Sequence, residues 1–96
     1  MAADIRIESL GDHEYLVRFP SGSETVESLM RATPDTVDHI GVPGTDERRI
    51  VAETAAFLAE RQPVIDIPPM IDLDDLEAHY GDEYLQELIR RLHTAP

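Results

Sequence analysis

Hydrophobic and polar residues alternate twice near the start of the chain. Ile5 and Ile7 stand against Asp4, Arg6 and Glu8 within residues 4–10, and Tyr15, Val17 and Phe19 share one side of residues 14–19. A period of two puts one set on each face of a strand, so both segments read as half-buried β-strands. Gly11 and Asp12 supply a tight reversal between them, and the pair is expected to form an antiparallel hairpin. Pro20, Ser21, Gly22 and Ser23 end the second strand. The next segment, residues 24–33, fits two periods. Val26, Leu29, Met30 and Thr33 fall at helical spacing, while a two-stranded hairpin is marginal alone and calls for a third strand. We read it as a strand, with a helix as the alternative.

From Thr33 onward the period lengthens. Thr33 is placed to cap a short helix that has Pro34 at its first position and Gly41 as its stop. Thr45 or Asp46 caps the next helix, which should run to about Arg61, with Ile50, Val51, Ala55 and Leu58 on one stripe and Phe57 beside it. Two helical segments close the chain: residues 72–80, opened by Asp72 or Asp74, and residues 82–93. In the last, Leu85, Leu88, Ile89 and Leu92 recur at i, i+3, i+4 and i+7. Acidic Asp82 and Glu83 open that helix, and Arg90 and Arg91 close it, as the helix dipole favours.

Between the helices lies a connector, residues 63–75, that carries Val64, Ile65, Ile67, Met70, Ile71 and Leu73. Pro68 and Pro69 forbid a continuous helix there. Two readings fit: an extended crossing buried over the core, which we favour, or an exposed apolar ridge formed by Ile65, Ile67, Met70 and Ile71 that docks a partner. In the first reading at most one or two of these four stay exposed.

The expected fold is α+β: a small N-terminal antiparallel sheet of two or three strands packed against two to four C-terminal helices, in one domain over residues 1–93 with residues 94–96 as a fraying tail. Val17, Phe19, Val51, Leu58, Leu85, Leu88 and Leu92 are the expected core.

Charge narrows the partners. Twenty acidic residues against eight basic ones give a net charge of −12, so nucleic acid and anionic membranes are expected to be repelled. All eight basic residues are arginine, which removes lysine-based Schiff-base and P-loop chemistry. No cysteine is present, so disulfides, thiol nucleophiles and cysteine-based zinc sites are excluded. No apolar run reaches the roughly 18 residues a spanning helix needs, and the start has charges where a signal peptide is apolar, so a cytoplasmic protein is expected.

The motifs that carry chemistry are absent or fail. Asp72, Asp74 and Glu83 match positions 1, 3 and 12 of a calcium loop, but Leu76 and Glu77 stand where a ligand and the turn glycine belong. His13, His39, His79 and His93 form no close pair; His79 with Glu83 is the nearest, with Gly81 between them. Ser21 and Ser23 lack a nucleophile elbow, and no phosphate-binding glycine motif occurs. No cofactor or metal is expected, and no residue is assigned a catalytic role.

Phe57, Leu58, Glu60, Arg61 and Pro63, followed by Asp72, Leu73, Glu77, Tyr80, Glu83 and Tyr84, carry a resemblance. Residues 45–92 resemble a family of small uncharacterised bacterial proteins with an opening hairpin, a short Pro-Asp helix, a helix ending in Phe-Leu-x-Glu-Arg and a closing Asp-Leu segment. The resemblance implies fold order and no activity, and residues 24–33 depart from the family's third strand. The sequence thus favours a protein-binding or regulatory module. The alternatives are an acidic mimic of nucleic acid, or neutraliser of a basic partner, and a small acid-base enzyme using His13 with a neighbouring acid.

Overall fold

The computed structural model describes residues 5–93. Strands β1 (Arg6–Gly11), β2 (Glu14–Ser21) and β3 (Glu24–Arg31) form an antiparallel meander. The first reversal places Asp12 and His13 at φ of +51° and +65°. Both central residues of this two-residue loop are therefore left-handed, the backbone that matches the twist of the flanking strands. In the second reversal Gly22 takes φ +64° at the first loop position, where glycine is free of strain.

Residues 24–31 are thus a strand, paired with β2 along its whole length from Ser21↔Glu24 to Glu14↔Arg31. Its helical spacing yields to tertiary pairing: Met30 and Ser28 are buried on one face and Leu29 lies on the other.

Helices α1 (Pro34–Ile40) and α2 (Glu47–Arg61) follow. Asp46 caps α2 by accepting from the Arg49 amide at 2.9 Å. Thr33 holds the cap position of α1, yet its side chain makes no capping bond there. After a short 3₁₀ turn (Val64–Asp66) the chain forms β4 (Met70–Asp72), then α3 (Leu73–Tyr80) and α4 (Asp82–His93).

The sheet has four strands in the order β1-β2-β3-β4, and β4 lies parallel to β3. The α+β class and the antiparallel N-terminal strands are as expected, and the sheet has one strand more than the two or three expected, the parallel β4. Three residues are too short to show a strand period. The pairing follows from the crossover, since α1 and α2 carry the chain back to the same end of the sheet.

The helices cover the face of the sheet that presents Tyr15, Val17, Phe19 and Met30, all buried with Val51, Ala55, Phe57, Leu58 and Leu88. Tyr84 is fully buried, its hydroxyl 2.9 Å from Thr54 Oγ1, and its ring meets Phe57 edge-on at 5.5 Å. Burial pushes its phenol up to about 12. Leu85, expected in the core, is only half-buried and packs at the core's margin. In α4 the inward stripe runs through Tyr84, Leu88 and Leu92, one position earlier at its start than the leucine count suggests.

The expected tail, residues 94–96, and Asp4 of the first predicted strand lie outside the described residues. No helix among the described residues is long and apolar enough to cross a membrane.

Leu88 has no solvent exposure. Leu88→Ala is expected to cost about 2–5 kcal/mol in urea unfolding through lost contacts and a residual cavity, and Leu85→Ala clearly less. Equal losses at the two positions would show that the inward stripe has been misassigned.

Candidate functional site

The apolar connector divides into two environments. Ile67 and Ile71 are 4% and 7% exposed and belong to the core, while Ile65 and Met70 are 76% and 66% exposed. Two hydrogen bonds pin this path to β3: the Leu29 amide donates to the Pro69 carbonyl and the Ser28 hydroxyl to the Pro68 carbonyl, both at 2.7 Å. Prolines lack an N–H, so at these positions the crossing attaches only through its carbonyls.

Beside this segment runs an open groove of about 350 Å³ between the C-terminal end of α2, β4 and α3. Leu58, Ile71 and Leu76, all buried, line it with Met70 and the half-buried Tyr80. Asp66 and Asp75 stand at it as exposed carboxylates. Among the described residues neither is in a hydrogen bond or ion pair. His79 adds an exposed imidazole, edge-on to Tyr80 at 4.7 Å between ring centroids. The groove joins an apolar lining to unpaired negative charge, a surface suited to an apolar side chain flanked by cations.

His13, the candidate general base, sits elsewhere. Its Nδ1 lies 2.7 Å from Glu47 Oε2, and Tyr15 donates its hydroxyl to Glu47 Oε1 at 2.9 Å. The acid it meets is therefore 34 positions away rather than a sequence neighbour. Burial, and then the Glu47 bond, push the Tyr15 phenol up to about 12. The His13 side chain is 55% exposed, so the site lacks the water-excluding walls that strengthen acid-base chemistry. Its geometry ties the first hairpin tip to the start of α2.

A second polar cluster went unread in the sequence. The Asp74 amide donates to Thr33 Oγ1 at 3.1 Å, and that hydroxyl donates to Asp74 Oδ1 at 2.5 Å. Thr33 therefore serves the first turn of α3 across space rather than its own helix. The fully buried Thr36 hydroxyl stands 2.5 Å from Asp74 Oδ1 and 2.9 Å from Glu77 Oε1, and His39 Nδ1 lies 2.8 Å from Glu77 Oε2. The Thr33 hydroxyl, with help from Thr36, holds the Asp74 carboxyl below its usual range. No sequence motif announces such a seam; a threonine on the inward side of a short helix is its only trace.

The calcium-loop residues diverge. Asp72 stands 3.7 Å from Arg31, Asp74 faces the threonines and Glu83 meets Arg61 at 2.5 Å. No group of three or more metal-ligating side chains comes together among the described residues. Comparison with protein-family models, with curated proteins and with solved structures finds no match to this chain. The residues that carry the family resemblance are placed structurally: Phe57, Leu58, Leu73 and Tyr84 are buried, and the Arg61 guanidinium lies 4.1 Å above the Phe57 ring.

The split environment of the connector is testable. Ile67→Asp buries an unpaired charge and is expected to destabilise by more than about 3 kcal/mol. Ile65→Asp should stay within about 0.5 kcal/mol of the parent in the same urea titration. A folded Ile67→Asp protein of unchanged midpoint would overturn the assigned path.

Asp74 adds a pH dependence. Its folded pKa is lower than its unfolded one, so its contribution is complete above about pH 4 and is lost as pH falls through the folded value. Asp74→Asn should therefore melt below the parent at neutral pH, with the gap narrowing as pH falls below about 4. A gap constant over that range would remove Asp74 from the acid limb.

Proposed function

We propose that this protein is a small binding module that takes up a basic peptide segment carrying an apolar anchor, in the groove between α2, β4 and α3. The observation that carries this reading is the pairing of an apolar lining, Leu58, Ile71, Leu76 and Met70, with the unpaired carboxylates of Asp66 and Asp75 at the same opening. Five of the eight arginines are already in ion pairs: Arg18 with Glu8 and Glu27, Arg31 with Glu14 and Asp72, Arg61 with Glu83, Arg90 with Glu87, and Arg91 with Glu60 and Glu87. None of these arginines meets Asp66 or Asp75, so both carboxylates are open to cations of a ligand. The net charge of −12 steers such a ligand inward from a distance and turns phosphate-rich partners away.

The anchor supplies the larger share of affinity by leaving water. The flanking cations supply orientation and rate, because exposed pairs contribute little each.

Fluorescence anisotropy with three labelled hexapeptides tests the reading: two central leucines flanked by arginines, the same leucines flanked by glutamates, and two central glycines flanked by arginines. Only the first is expected to bind well. Asp66→Asn/Asp75→Asn should weaken it by about threefold or more, as the loss of two exposed ion pairs implies. Equal binding of all three peptides, or affinity unchanged in the double variant, would refute the groove as the site.

A further inference from the structure

The helices cover one face of the sheet and leave the other open. Side chains alternate along a strand, so the burial of Tyr15, Val17 and Phe19 sends Glu14, Leu16 and Arg18 to the open face. On β3, Glu27, Leu29 and Arg31 point the same way. Leu16 and Leu29 are half-buried, but neither packs against the core.

Strand register arranges this face in rows. Leu16 pairs with Leu29 and Leu29 with Met70, which makes an apolar row across three strands. On one side of it Arg18 pairs with Glu27, their side chains 3.1 Å apart. On the other side Glu14 pairs with Arg31 at 3.8 Å. Around the apolar row the four charges thus form a checkerboard, with each strand carrying one arginine and one glutamate.

We propose that this face is the contact surface of a homodimer whose two-fold axis lies along the row Leu16, Leu29, Met70. Charge complementarity selects the occupant. Rotation about that axis lays each residue of the row on its own copy and exchanges the two flanking rows. Arg18 then faces Glu14 of the second copy, and Glu27 faces Arg31 of the second copy. All four charges meet opposite signs, and each ion pair within a copy grows into a four-charge cluster across the interface.

A partner of uniform sign cannot do this, because it would oppose either both arginines or both glutamates. The four charges sum to zero on a chain of −12, so this face brings two copies together with little local repulsion. An axis along the strands, between β2 and β3, also matches the four charges, but it sets the exposed Met70 against Glu8. The axis along the row places Met70 on Met70. It sets Glu8 against Glu8 only at the row's end, where Arg18 holds that carboxylate at 3.1 Å. Two such sheets would stack about 10 Å apart with nearly aligned strands.

The test is sedimentation velocity of the full chain. At about 100 μM, a concentration that populates even modest interfaces, the parent should sediment as a dimer and dissociate on dilution. Arg18→Glu/Glu27→Arg keeps an ion pair within each copy but opposes like charges across the axis, so dimerisation should weaken at least about tenfold. Adding Glu14→Arg/Arg31→Glu inverts the whole checkerboard and should restore the dimer. A second readout needs no variant: with methyl-labelled methionine, the Met70 resonance should shift on dilution, whereas that of Met30, fully buried in the core, should not. A parent that stays monomeric, a double variant that dimerises like the parent, an inverted variant that stays monomeric, or a Met70 signal indifferent to dilution would each overturn the proposal. None of these substitutions touches the groove residues Asp66 and Asp75, so the two readings fail separately.

Discussion

The hydrogen bond from the Leu29 amide to the Pro69 carbonyl at 2.7 Å starts the junction between β3 and the returning chain. It opens the parallel pairing of Leu29, Met30 and Arg31 with Met70, Ile71 and Asp72. Everything between residues 32 and 69 must then leave one end of β3 and return to run beside it, which forces a crossover over the sheet. Helices α1 and α2 supply that crossover, and their apolar stripes define which sheet face is the core. The Ser28 hydroxyl, buried on that face, holds the neighbouring Pro68 carbonyl, so no polar group is stranded where the connector enters. Among the described residues every buried side-chain nitrogen and oxygen has a partner.

The local features of this design were legible in the sequence. The alternation of Ile5, Ile7, Tyr15, Val17 and Phe19 marks two strands, and the spacing of Leu88 and Leu92 marks the last helix. Asp46 caps α2 as its place before an apolar stripe suggests. What the chain hides is what distant segments do to one another. β4 is too short to carry a period, and only its pairing with β3 makes it a strand. Ile67 and Met70 look alike in sequence, yet one is buried and the other is two-thirds exposed. Their difference comes from the turn between them, which no count of apolar residues shows. The groove was similarly hidden, because Leu58, Asp66, Asp75 and Tyr80 meet only after the crossover. So was the partner of His13, since Glu47 lies 34 positions along the chain.

Charge follows the same division between local and distant. Arg91 reaches Glu87 one turn back on its own helix and Glu60 on α2, and hydrogen bonds from Arg90 and then Arg91 drive the Glu87 carboxyl down to about 2. Its partner Arg90, also on Glu87, remains on the surface. The Arg61 guanidinium lies over the Phe57 ring while it bridges to Glu83, so one head group serves both contacts. Arginine suits these positions because a planar fork can stack and bridge at once, which a lysine ammonium cannot. With the arginines so placed, the negative excess includes carboxylates that are in no ion pair among the described residues, Asp66 and Asp75 among them.

Both edges of the sheet are blunted, and this bears on where the molecule can be recognised. On β1 the Ile7 carbonyl is occupied by Arg48 at 2.7 Å, and the register breaks between Ser9 and Gly11. On the far side β4 has three residues and is preceded by two prolines, which offer no amide to a neighbouring strand. An added strand would find few main-chain partners at either edge. The edges thus offer little backbone to a partner, and the two proposed surfaces are built from side chains: the groove beneath β4 and the open face above it. Met70 lies where they meet: it is two-thirds exposed, lines the groove and pairs with Leu29 in the row on the open face. Methionine fits such a corner, since an unbranched, polarisable chain can turn toward either surface without straining the strand that carries it.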